Sequence, residues 1–471
     1  MQFTRICFAS LFILIYTWNP FAVAGADSPP NPNPVTPTGP SAKLPGLYNY
    51  STIQLFDPSP FPHSLNHSFT HFAKDLVLAD RAYEPQIKTI QLYPAFGTRE
   101  NELLPAVVPL GQPNLLLEFD DLDRPVERYY ARIIHCNKDW TASGLAALEY
   151  MTEYNEFPIT DYEFSINTSV PYVHYRFPVP PVKLPGNYVL VVFRDGNQDD
   201  LILSKRFMVY DNRITFARNG NLIGPGRGAG MNQQINFTVN YKNVEILNPM
   251  VDVSVVIRQN MRWDNPITDV KPAFVRENLH ELEYRFFDPE KLFKGGNEFR
   301  FFDLRSVNFP GRFVASVSKT TVPYKAWVQP DKSREHEAYS QYNDINGKFG
   351  IDNIEYNDPL AADYIEVNFT LESPKVGGEV YVAGAFNYWN RDDSNRMQYN
   401  DPMQMYEAAI LLKQGWYDYQ YIVDDSTMPP LHFEGSHFET ENLYEIFVYY
   451  RPFNLNADVL IGYVRLQENP R

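Results

Sequence analysis

The chain is short of cysteine, tryptophan and basic residues. Of its 471 residues only two are cysteine, Cys7 and Cys136, and six are tryptophan. Cys7 sits in an N-terminal stretch that reads as removable. Cys136 is then alone, no intrachain disulfide is possible, and the fold has to be held by packed cores. Cys136 ends the apolar stretch Tyr129 to Cys136 and reads as a buried, inert thiol. The neighbouring His135 is poorly placed to activate it, because adjacent strand residues point to opposite faces. Lysine and arginine number 41 against 57 aspartate and glutamate, a formal charge of −16. Such an acidic balance argues against nucleic acid and anionic lipid as partners. After the first residues no apolar run approaches the ~18 needed for a spanning helix, so no direct membrane span is expected.

Chemistry-bearing motifs are equally scarce. There is no Gly-x-Ser-x-Gly elbow, no His-Glu-x-x-His pair and no paired zinc cysteines. His63, His67 and His71 have helical i, i+4, i+8 spacing, but the intervening Pro62, Ser64, Asn66, Ser68 and Thr70 make a poor helix and no carboxylate joins them. His432 and His437 lie in a Pro- and Gly-rich loop. Gly220 to Gly230 has the glycines of a phosphate cradle without the Gly-Lys-Ser/Thr ending or a following helix. The sequence therefore nominates no catalytic residue, no metal site and no cofactor, and predicts that the protein is not an enzyme.

What the chain does have is aromatic and turn-forming residues: 32 Tyr, 33 Phe, 38 Pro and 24 Gly, with aromatics at 15%. Aromatic and β-branched side chains suit pleated, half-buried surfaces, and Pro and Gly suit the turns between strands. Residues 1–26 read as a secretory signal, with Arg5, an apolar run from Ile6 to Tyr16 and small-residue cleavage sites near Ala24 and Ala26. Residues 27–46 are Pro-rich and read as a disordered leader, and residues 47–86 resist assignment.

From about residue 87 short apolar or alternating runs follow one another between turn signals. IKTIQLYP, NLLLEFDDL, VERYYARIIHC, NYVLVVFRD and LILSKRFMVYD belong to a first β-sandwich, set at 47–211. The last two flank GNQDD and read as a hairpin. One short helix is expected around Ser143 to Tyr154. RITFARN to GRFVASVS give a second sandwich at 212–328, a polar linker with one strand at Gly347 to Ile351 follows at 329–362, and YIEVNFTL to LYEIFVYY give a C-terminal sandwich at 363–471. The expected class is all-β: tandem immunoglobulin-like or early-set β-sandwiches with at most one or two short helices.

Two resemblances add to this reading. Gly384-Ala385-Phe386-Asn387-Tyr388-Trp389, followed by Gly415-Trp416-Tyr417-Asp418-Tyr419 to Asp424, resembles the glycogen- and starch-binding early-set modules. That resemblance implies sugar stacking on Trp389, beside Phe386 and Asn387, with Asn442 a weak match to the family's late asparagine. The second stacking tryptophan is missing where Asp425-Ser426-Thr427-Met428 stand, which counts against a sugar ligand. Over residues 85–465 the order of pieces resembles the plug proteins of the type IX secretion system. The most specific segments are His135-Cys136-Asn137 to Trp140 and Asp458 to Tyr463, with Asn137 and Trp140 candidates for partner contact. This resemblance implies a non-enzymatic periplasmic body, associated with the outer membrane, that closes the periplasmic end of a very large barrel when no cargo is present. The competing readings are a periplasmic or surface carbohydrate-binding protein and an envelope hydrolase with β accessory domains.

Overall fold

The structure is a computed structural model that describes residues 74–470, apart from 98, 113, 124, 225–230 and 287–290. The signal, the leader, the His63, His67 and His71 series and most of the glycine loop up to Gly230 lie outside the described residues. Among those described, strands dominate and the only α-helices are single turns at Ala147–Tyr150 and Pro249–Asp252. The all-β expectation holds.

The first sandwich pairs two sheets. One runs in the order Arg81–Ala82, Leu201–Tyr210, Gly186–Arg194, Tyr129–Cys136, Phe157–Ile159, with Val107–Pro109 parallel to Leu201–Tyr210. The other runs Ile87–Pro94, Leu115–Asp121, Val173–Pro178, Asp161–Phe164. The expected hairpin is present, with Leu201 opposite Phe193 and Val209 opposite Gly186. Leu117, Phe119, Tyr175, Tyr188, Leu190 and Val192 are completely buried between the sheets. The expected helix is a single turn. After it Met151 bridges to Val182 as an extended residue, since the burial of Met151 against the sheet outweighs local helix propensity.

Strand pairing departs from the expected division of the remaining chain. Thr215–Gly224, Asn232–Asn240, Glu281–Tyr284 and Phe274–Arg276 form one sheet of the second sandwich. Its facing sheet is Ile267–Val270, Val253–Gln259, Asn442–Tyr450 and Val459–Glu468. The end of the chain thus returns to complete the middle sandwich. Val253 lies opposite Tyr450, and Tyr444, Ile446 and Val448 fill the core beside Val255 and Ile257. Conversely, Arg300–Asp303, Val314–Ser318 and Tyr324–Val328, expected in the second sandwich, pair within the third. Pairing is chosen by which apolar faces fit in space, and strand alternation carries no label for the partner.

The third sandwich sets the sheet of Arg300–Asp303, Gly415–Asp424, Phe349–Ile351 and Glu379–Ala383 against that of Val314–Ser318, Tyr324–Val328, Tyr364–Glu372, Met405–Lys413 and Gln398–Asn400. The Gln414–Gly415 turn is a corner between these two sheets. A side chain at Gly415 would lie 2.3 Å from the Gly350 carbonyl oxygen, so only glycine fits. The expected linker is part of this sandwich. Phe349–Ile351 pairs with Gly415–Asp424, and Asp331–Lys332 runs parallel to Tyr364–Glu372. Arg300 donates to Glu434 at 3.0 Å and to Asp331 at 2.7 Å, and Arg334 donates to Glu434 at 2.5 Å. Burial alone would raise Glu434; the two guanidiniums bring it down to about 2.

Candidate functional site

Several strands are buried on both faces, and these place the joints between sandwiches. Along Gly186–Arg194, Tyr188, Leu190 and Val192 face the first core, while Val189 and Val191 face outward onto the second sandwich. Along Asn442–Tyr450, Tyr444, Ile446 and Val448 face the second core, and Phe447 and Tyr449 face back. Val189, Val191, Leu201, Met208, Val256, Phe447 and Leu460 form one apolar cluster across the joint. A strand buried on both sides reads as a near-continuous apolar run, which is how NYVLVVF and LYEIFVYY read.

Both plug-like segments meet at this joint. The turn after Cys136 places Trp140 at φ 64°, with its indole edge-on to Trp263 at 5.0 Å. Asn137 Oδ1 accepts the Asp458 amide at 3.3 Å, and Asp458 Oδ2 accepts the Lys138 amide at 3.1 Å. Asn187 donates to the Asn137 carbonyl at 3.2 Å and accepts the Tyr449 hydroxyl at 2.8 Å. Arg258, which donates to Glu445 at 2.6 Å, lies 4.7 Å over Trp263, and Arg206 lies 4.7 Å over Trp140. Trp140 is 9% exposed. It and Asn137 therefore bind one sandwich to the next; as a contact surface for an outside partner Trp140 is out of reach.

The starch-binding-like turn is also turned inward. Trp389 is 6% exposed, packed 5.7 Å from Phe299 and capped by Arg262 at 4.0 Å. Gly347, at φ +77°, leaves room for the ring: a Cβ there would sit 2.6 Å from the indole. Asn387 is spent within its own turn, accepting the Gly384 amide at 3.1 Å and donating to the Val382 carbonyl at 2.8 Å. Phe386 packs edge-on against Tyr417. No sugar face is presented by Trp389, because Arg262 of the second sandwich already occupies it.

A polar joint links the first and third sandwiches. Asp120, fully buried, accepts from Lys413, Tyr364 and His174, each at 2.7 Å. Burial alone would raise the carboxyl, yet Lys413 and His174 hold it below its usual range. His174 is pushed the other way: burial disfavours its charge, but bonds to Asp120 and Glu118 bring it up to about 9. Asp363 accepts the amides of Ser169 and Val170 at 2.7 and 3.0 Å, and Tyr172 donates to the Ala362 carbonyl at 3.1 Å. Sequence reasoning passed over this cluster; its trace is Asp120-Asp121 inside the apolar run LLLEFDDL. Cys136 is buried and its thiol is pushed up to about 12 by that burial, which fits an inert side chain.

Among the described residues, one end of the second sandwich exposes several large apolar side chains. Leu247 is 85% exposed and Phe453 103%, on loops of the second sandwich, and Val251, 68% exposed, lies on the helical turn Pro249–Asp252. Leu247, Tyr450, Pro452, Phe453 and Leu455 line a cleft of about 620 Å³ there. Among the described residues no group of His, Cys, Asp and Glu could hold a metal. None of their helices is long and apolar enough to cross a membrane.

Residues 87–211 match the model of the type 9 secretion system plug protein first domain. Over these residues the chain is similar to that domain. The match covers the first sandwich apart from Arg81–Ala82 and ends one residue past Leu201–Tyr210. A solved structure of a hypothetical protein from Parabacteroides merdae ATCC 43184 extends the likeness: 30% identity, TM-score 0.78, 84% of this chain and 100% of that one. The two chains belong to one family. A structure holding manganese lipoxygenase of Gaeumannomyces graminis and part of zonadhesin of Komagataella pastoris matches at 7% identity and TM-score 0.13, over 82% and 94% of the chains, and carries no argument. No curated protein matches.

Proposed function

We propose that this chain closes the periplasmic opening of the large outer-membrane barrel of the type IX secretion system when no cargo occupies it. The observation that carries the reading is the plug-domain match over residues 87–211. A plug needs a stiff body and a releasable surface, and it needs no catalysis. The joints supply stiffness, since their apolar and charged contacts are made by strands already fixed in sheets. The apolar end around Leu247 and Phe453 supplies a surface of the kind that marks protein docking. In this reading the N-terminal signal exports the chain to the periplasm, where it associates with the outer membrane through the barrel. The carbohydrate-binding reading gains nothing from the buried Trp389.

The test is an affinity pull-down of the tagged mature chain from detergent-solubilised outer membranes, read by mass spectrometry. Recovery of one very large barrel protein in near-equal amount is expected. Leu247→Asp combined with Phe453→Asp should reduce that recovery without lowering the melting temperature. Binding to glucan resin with no barrel recovered would sink the proposal.

A further inference from the structure

A cavity of about 220 Å³ lies where all three sandwiches meet. The first sandwich and the segment before it give Asp80, Lys205 and Arg206; the second gives Asn260, Trp263 and Asp264; the third gives Lys348, Tyr388 and Trp389. Three cations thus face two carboxylates, and both carboxylates are already engaged. Asp264 is held by Arg262 at 2.6 and 2.9 Å. Asp80 lies 3.5 Å from Lys205 and accepts the Arg206 amide at 2.7 Å. Arg258, close by, is matched by Glu445.

Two cations are left over. Arg206 donates through Nε to the Leu78 carbonyl at 3.0 Å and stacks on the two tryptophans, with no carboxylate in ion-pair range among the described residues. Lys348 makes no ion pair among them either. Its ammonium feels Lys205 and Arg258 more than it feels Glu445 and Asp80, and burial with these like charges lowers it to about 8. A partly buried ammonium without an ion pair, lining one cavity with Arg206, is costly unless an anion completes the site.

We propose that this cavity binds a small oxyanion of the phosphate class. Lys348 and Arg206 supply the charge, and the volume admits a tetrahedral anion with a few waters. Because each sandwich contributes lining residues, the bound anion ties the three bodies together. The inference does not depend on the plug role.

The experiment is calorimetric titration of the full mature chain with sodium phosphate against sodium chloride at matched ionic strength, pH 7. Saturable phosphate binding is expected, weakened roughly tenfold or more in Lys348→Met, as loss of one charge-assisted contact implies, and retained in Lys348→Arg. Lys348→Met should melt no lower than the parent in chloride, since it removes an unmatched charge; that reading separates lost binding from lost folding. A second arm measures sedimentation with phosphatidylcholine vesicles containing phosphatidic acid. Vesicle binding lost in Lys348→Met, without a response to free phosphate, would keep the site and assign the anion to a lipid headgroup. If the parent and Lys348→Met behave alike toward both probes, or the parent binds neither, the proposal is overturned.

Discussion

Single side chains hold the joints, and Asp120 is the clearest case. It is the shared acceptor for Lys413, Tyr364 and His174. Asp120→Ala leaves a buried ammonium without a counter-ion, a change that costs about 3–5 kcal/mol. Urea unfolding at pH 7 should register that loss, and Lys413→Met in the Asp120→Ala background should restore part of it. His174 makes the joint sensitive to pH. Its folded value of about 9 lies above its ordinary 6.5, so its contribution is fully present below pH 6.5 and is lost as pH rises through 9. The stability difference between the parent and His174→Gln, measured from pH 6 to 10, should shrink over that window. The sequence hinted at these sites only through charges set inside apolar runs. Asp120 in LLLEFDDL, Arg258 in VDVSVVIRQN and Glu445 in LYEIFVYY each sit where water would be excluded on either face. Trp140 and Trp389 stood out by their motifs, but no single sequence reveals that Trp263 and Arg262 cover them.

At the level of strands, local pattern and long-range partner part company. The runs at Ile87–Pro94, Leu115–Asp121, Gly186–Arg194 and Gly415–Asp424 form strands where alternation and turn residues place them. The hairpin across GNQDD is legible because its partners are neighbours in sequence. The exchange between the second and third sandwiches was not legible, because Asn442–Tyr450 would alternate in the same way beside any apolar sheet. Phe349–Ile351 was legible as a strand, whereas the rest of 329–362 reads as linker because its polar side chains, Arg334 among them, are buried by ion pairs and not by apolar contact. A chain ended after residue 440 should therefore lose the middle sandwich, having no partner for Val253–Gln259. The fragment 363–471 should fail to fold alone, lacking Tyr324–Val328 beside Tyr364–Glu372. Far-ultraviolet circular dichroism and proteolysis of the two fragments would check both; a protected, β-rich 363–471 would count against the pairing described.

As a whole, the described residues form a block in which every sandwich leans on the other two. The apolar joint around Val191 and Phe447 and the packing of Trp140 on Trp263 couple the first two sandwiches. Unfolding should therefore be one calorimetric transition. Val191→Asp places an unpaired carboxylate at a fully buried position in that joint, where it has to be hydrated or neutralised. The single transition should then divide into two. The return of the last two strands to the middle sandwich has a consequence in time. While the chain is being made, the first sandwich can close once residue 210 has emerged, but the middle one waits for residues near 468. Until then Val253, Val255 and Ile257 have no cover, and the outward face of Gly186–Arg194 has nothing to lean on. An interrupted copy stays open, sticky and exposed to proteases, so only a finished chain yields a finished body.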